Sequence, residues 1–116
     1  MATDDPRSPQ DQIVDAATRW PGVTAGEHRF GGVELLLGRR ELGHVHGDRW
    51  ADLPFPKRIR DELIAGGRAQ PHHVLPDTGW VTVPLGSREA VDNVIDLLRL
   101  SYDRASAASA RQAGPR

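Results

Sequence analysis

The chain has 116 residues, of which 38% are hydrophobic and 27% charged, the balance of one soluble globular domain. Sixteen acids nearly cancel fifteen bases, and a formal charge of −1 excludes the overall electrostatic footprint of a non-specific nucleic-acid binder. With no cysteine, disulfides, thiolate metal sites, cysteine nucleophiles and iron–sulfur ligation are all excluded. The chain is also too short for a TIM barrel or a full doubly wound nucleotide-binding fold, and it contains no phosphate-cradling glycine motif. No apolar run approaches the roughly 18 residues of a membrane span, and the first ten residues lack the apolar core of a secretory signal. A cytoplasmic setting is the expectation.

In chain order, residues 1–7 are polar and read as a disordered tail. Ser8-Pro9-Gln10-Asp11 has the chemistry of a helix start, with Ser8 as cap and Pro9 in the first turn. Ile13, Val14, Ala17 and Trp20 give that helix one apolar face before Pro21-Gly22 stops it. Residues 23–29 form a mostly polar candidate edge strand. Val33–Leu37 and Glu41–His46 read as a hairpin around Gly38-Arg39-Arg40. Residues 52–56, with two prolines, read as the lead into a second helix that begins at Pro56, buries Phe55, Ile59 and Leu63, and stops at Gly66-Gly67.

Arg68–Leu75 is a further strand candidate, with Pro71 marking an edge. Pro76-Asp77-Thr78-Gly79 makes a turn into the short β run Trp80–Val83. Ser87 caps a third helix whose stripe is Val91, Val94, Ile95, Leu98 and Tyr102. The fold class expected is α+β: an antiparallel sheet of about five strands, with elements in the order α-β-β-β-α-β-β-α. Residues 8–105 make a single domain, and 106–116 read as a disordered C-terminal tail.

Histidines carry the chemistry. His44 and His46 lie two apart on one strand and share a face, whereas only one of His72 and His73 can join them there. If the two strands are neighbours, three imidazoles converge. The expected groove is lined by His44, His46, His73 and Trp80, and takes a small molecule or a protein partner. His44, His46 and His73 are the candidate ligands for zinc or another divalent metal, with Asp48 or Asp52 as fourth ligand or orienter; no other cofactor is expected. Acid–base work by an imidazole needs no metal, but no nucleophile elbow accompanies these residues.

The tryptophans divide by context. Trp20 reads as core, Trp80 as packed on the third helix, and Trp50 as partly exposed in a polar loop beside Arg49. Arg39 and Arg40 at the hairpin tip, with Lys57, Arg58 and Arg60 on the second helix, make an alternative phosphate-facing surface. Against it, residues 29–68 hold eight bases and six acids, so nucleic acid is not the expected partner. Monomer and homodimer both stay open, and no membrane association is expected.

Several stretches carry a resemblance. Arg29-Phe30-Gly31-Gly32-Val33-Glu34-Leu35, Arg40-Glu41-Leu42-Gly43-His44-Val45-His46-Gly47, Ala51-Asp52-Leu53-Pro54-Phe55-Pro56, Pro71-His72-His73-Val74-Leu75-Pro76, Gly79-Trp80-Val81 and Leu98-Arg99-Leu100-Ser101-Tyr102 resemble the short bacterial proteins of the luciferase-domain family. The resemblance covers about Trp20 to Arg104. It implies luciferase-like oxygenase or metal-assisted chemistry as an alternative to plain binding, and it assigns no catalytic residue. More distantly, Phe30-Gly31, Trp80-Val81 and Ser101-Tyr102 are similar to the layout of YjbR/MmcQ-like double-wing proteins, which implies an α+β fold and a link to DNA binding.

Overall fold

The computed structural model describes residues 6–28 and 31–112. Arg29 and Phe30, which open the first family-like stretch, lie outside the described residues, as do residues 1–5 of the expected N-terminal tail and 113–116 of the C-terminal one.

Helix α1 (Pro9–Thr18) starts as its sequence chemistry dictates: Ser8 Oγ accepts the Asp11 N–H at 3.1 Å, and Pro9 occupies the first turn. Arg7, assigned to the tail from sequence, pairs with Asp15 at 2.8 Å. Strands β1 (Val23–Glu27), β2 (Val33–Leu37), β3 (Arg40–His46) and β4 (Trp50–Pro54) follow as an antiparallel meander. Helix α2 (Lys57–Ala65), the two-residue β5 (Gln70–Pro71), β6 (Trp80–Pro84) and helix α3 (Arg88–Gln112) complete the order α-β-β-β-β-α-β-β-α. The spatial strand order is β1-β2-β3-β4-β6-β5. The fold is α+β as expected, with six antiparallel strands among the described residues rather than about five.

The additional strand is β4. Asp52 and Pro54 make residues 50–54 look like a loop, yet the segment alternates: Ala51 and Leu53 enter the core while Trp50, Asp52 and Pro54 take the other face. Pro54 stands at the strand end, where its missing N–H costs little. Conversely, the expected strand 68–75 shrinks to Gln70–Pro71, because Pro71 cannot donate to the ladder and the chain leaves the sheet there. Helix α3 runs on through Gln112, past the expected domain end at 105, since Ala, Arg and Gln are good helix formers even in a polar stretch.

Helices α1 and α3 pack together on one side of the sheet. Ile13, Ala17, Val91, Val94, Leu97, Leu98 and Ala105 meet Leu35, Leu42, Val45, Leu53, Val81 and Val83 there. Leu97, rather than the half-buried Ile95, sits at the centre of the α3 stripe. Removing one such leucine side chain costs about 2–5 kcal/mol. Gly43 is required at this interface: a Cβ there would stand 3.1 Å from the tip of Leu98 and 3.0 Å from the Asp52 carbonyl oxygen. The other side of the sheet carries none of this apolar packing, and the site lies on it.

Candidate functional site

Strand register builds the floor of the site. His44 of β3 stands directly opposite Asp52 of β4, and Asp52 opposite Thr82 of β6. The three therefore form one row on the open face, and a second row places His46 beside Trp50. A β-bulge in β3 adds one residue against β2 between Leu35 and Leu36. The extra residue turns Glu41 onto the same face as His44, three positions away, where an uninterrupted strand would oppose them. Ser101 of α3 holds the bulge by donating its hydroxyl to the Leu42 carbonyl at 3.0 Å.

Asp52 is the hub. Only 1% of its surface is exposed. Its Oδ1 accepts the Thr82 hydroxyl at 2.6 Å. Its Oδ2 is faced by four imidazole Nε2 atoms, from His44 at 3.1 Å, His46 at 3.3 Å, His73 at 3.4 Å and His72 at 3.6 Å. The fifth histidine, His28 at the end of β1, stacks on His44 with centroids 4.0 Å apart. Burial alone would raise the Asp52 pKa. The hydrogen bonds from His44 and Thr82, and the imidazole charge around it, outweigh burial and hold the carboxyl well below the usual range.

His44 is sandwiched between carboxylates, with Nδ1 2.5 Å from Glu41 Oε2 and Nε2 3.1 Å from Asp52 Oδ2. Carboxylates accept, so both ring nitrogens donate and the ring is an imidazolium. Burial works against that charge, but the two hydrogen bonds and the two negative charges prevail and raise the pKa to about 9. Burial and the neighbouring His44 charge lower the pKa of His46, against the pull of Asp52. Burial also lowers that of His72.

His72 and His73 reach the site by a route the strand pattern does not contain. They belong to the loop after β5, not to a strand beside β3. The Nδ1 of His72 accepts the N–H groups of Val74 and Leu75 at 3.1 and 3.0 Å, which folds the loop back and leaves the ring proton on Nε2, toward Asp52. Arg60 of α2 ties the far end of this loop by donating to the Pro76 carbonyl. Arg60 is thereby turned from the expected phosphate-facing surface, while Arg39, Arg40, Lys57 and Arg58 stay exposed.

The tryptophans follow expectation only in part. Trp80 does not pack on α3; strand alternation sends Val81 and Val83 to the helices, and Trp80 to the His44 and His72 rings, at 5.4 and 6.0 Å. Trp50 lies in a strand, not a loop, between His46 at 5.5 Å and His73 at 5.1 Å, with the Arg49 guanidinium over its ring. Trp20 packs against the core and tilts on Tyr102. All four expected groove residues, His44, His46, His73 and Trp80, line one cavity of about 960 Å³, joined by His28, Glu27, Glu34, Glu41, Arg49, Trp50, Asp52 and His72. Val74 and Leu75 form its exposed apolar rim, at 67% and 45% exposure. Asp48, a sequence candidate, stays in the exposed β3–β4 turn outside the lining.

Donor atoms close enough to share a cation fall into sets that overlap at Asp52 and His44: His44, His46 and Asp52; Asp52, His72 and His73; and His28, Glu41 and His44. The expected trio His44, His46 and His73 is thus distributed over two sets, with Asp52 common to both. Among the described residues, no helix is long and apolar enough to cross a membrane.

Fold and site together define a two-layer α+β protein in which four histidines surround one buried aspartate over the uncovered sheet face, with the fifth stacked on His44. A family model described as "Luciferase domain" matches residues 39–101, more than half of the chain and the segment carrying every Asp52 partner named above. The chain belongs to the luciferase-domain family. No curated protein matches the sequence, and no solved structure matches it.

Proposed function

We propose that this protein is a small-molecule-binding module whose ligand lies in the histidine-lined groove. The observation that carries this reading is the construction of the cavity, with Trp50 and Trp80 as aromatic walls, an apolar rim and a polar floor. That combination suits a planar organic molecule with a few convergent polar groups. Glu27, Glu34, Glu41 and Asp52 outnumber Arg49 and the His44 imidazolium among the charges lining it. A ring bearing hydroxyl or amino donors therefore suits the groove better than a carboxylate.

Phenol, catechol and aniline serve as probes, with benzoate as the charge-reversed control, all in the presence of EDTA. Added to nitrogen-15-labelled protein, the first three shift the indole N–H resonances of Trp50 and Trp80 but not that of Trp20, which packs against the core. Benzoate gives the weaker effect. Equal movement of all three indoles, or of none, overturns the reading.

A luciferase-like oxygenase is the second reading, favoured by the family and by the set His44, His46 and Asp52 beside the same groove. Oxygen uptake or light emission with an aldehyde or reduced-flavin substrate tests it. Silence with and without divalent metals counts against it.

A further inference from the structure

We propose that His44 Nε2, His46 Nε2 and Asp52 Oδ2 form a binding site for a divalent first-row transition ion of the zinc or iron(II) class. The first argument is a count. Asp52 Oδ2 can accept about two good hydrogen bonds, yet four ring nitrogens face it, three of them at 3.3–3.6 Å, beyond ordinary hydrogen-bond length. The second is spacing. Ligands about 2.0–2.1 Å from a tetrahedral metal stand about 3.3 Å from one another. The His44 and His46 nitrogens lie 3.1 and 3.3 Å from Asp52 Oδ2, and all three donor atoms fall within 4.8 Å of each other.

The outer contacts supply the third argument. Glu41 accepts from His44 Nδ1, so Nε2 is the nitrogen offered inward, the arrangement in which a carboxylate orients a metal-bound imidazole. Thr82 occupies Asp52 Oδ1 and leaves Oδ2 free to ligate. On binding, the ion takes the place of the proton on His44 Nε2, which leaves to solvent. His72 stays outside the ligand set, because its Nδ1 is committed to two loop amides and its Nε2 keeps a proton. Two imidazoles and one carboxylate leave open positions facing the groove.

This inference does not depend on the organic-ligand reading, because its probe is the metal alone. Protein stripped with EDTA and dialysed is titrated with zinc chloride by calorimetry near neutral pH, and with cobalt(II) by visible absorption. One ion binds per chain, with micromolar or tighter affinity. His46→Ala, at a partly exposed position that leaves the buried Asp52–Thr82 pair intact, weakens zinc binding at least about tenfold, and Glu41→Gln weakens it about 10–100-fold. His73→Ala retains it. Circular dichroism checks that each variant is folded. Absence of saturable binding to the wild type overturns the proposal, as does a His46→Ala variant that binds like wild type, or loss on His73→Ala alone.

Discussion

Alkaline pH should loosen this fold through one side chain. His44 is ordinary at 6.5 in the unfolded chain and about 9 in the folded one, so folding raises its proton affinity. Its contribution to stability is complete below about pH 6.5 and disappears as the pH rises through about 9. At about 1.4 kcal/mol per pH unit, the full effect has a ceiling of about 3 kcal/mol; water reaching the open face reduces it to about 1–3 kcal/mol. The groups facing the ring are Glu41 on its own strand, Asp52 on β4, His28 after β1, and His46 and Trp80 at its sides. The lowered pKa values of His46 and His72 act in the opposite direction: their contribution is present above about pH 6.5 and is lost as the pH falls. Urea unfolding in EDTA at about pH 6.5 and about pH 9.5, for wild type and His44→Gln, isolates the His44 contribution. The wild type loses about 1–3 kcal/mol over this range, and the variant does not. Equal losses in both proteins would refute an imidazolium at this position.

Three further outcomes test the frame around that ring. Thr82→Val leaves the buried Asp52 Oδ1 without its donor and costs about 1–3 kcal/mol in chemical denaturation; a neutral result would mean that the hydroxyl does not hold the carboxylate. Ser101→Ala removes the hydroxyl that α3 gives to the bulge carbonyl of Leu42. It costs about 1 kcal/mol and speeds amide hydrogen exchange in residues 41–44, whereas unchanged exchange would show that the bulge stands without it. Gly79→Ala places a Cβ 1.7 Å from the Phe55 carbonyl oxygen, where backbone meets backbone; it costs at least about 2 kcal/mol and lowers the Tm by several degrees, and a wild-type Tm would show that the contact relaxes freely.

Much of the fold is legible from local pattern. The Ser8 and Ser87 caps, the β2–β3 hairpin and the α3 stripe are each written within one short segment, where period and punctuation agree. β4 escapes that reading because Asp52 and Pro54 stand at positions that a half-buried strand ordinarily fills with less conspicuous residues. The aspartate is in the interior for the sake of the imidazoles around it, and their nearness is not a local property.

The candidate site divides along the same line. That His44 and His46 share a face follows from the two-residue strand period, and the sequence by itself determined it. Tertiary structure alone decided that Glu41 joins them, since a one-residue bulge reverses the face of every side chain before it. It also decided that His72 and His73 arrive from a loop tied down by Arg60, and that Trp50 joins the expected Trp80 in lining the groove, because the helices cover the opposite face of the sheet. Periodicity acts between neighbours along the chain. The meeting of residues 28, 44, 52 and 73 depends on strand register and on which face the helices bury, and those are settled only when the whole chain has packed.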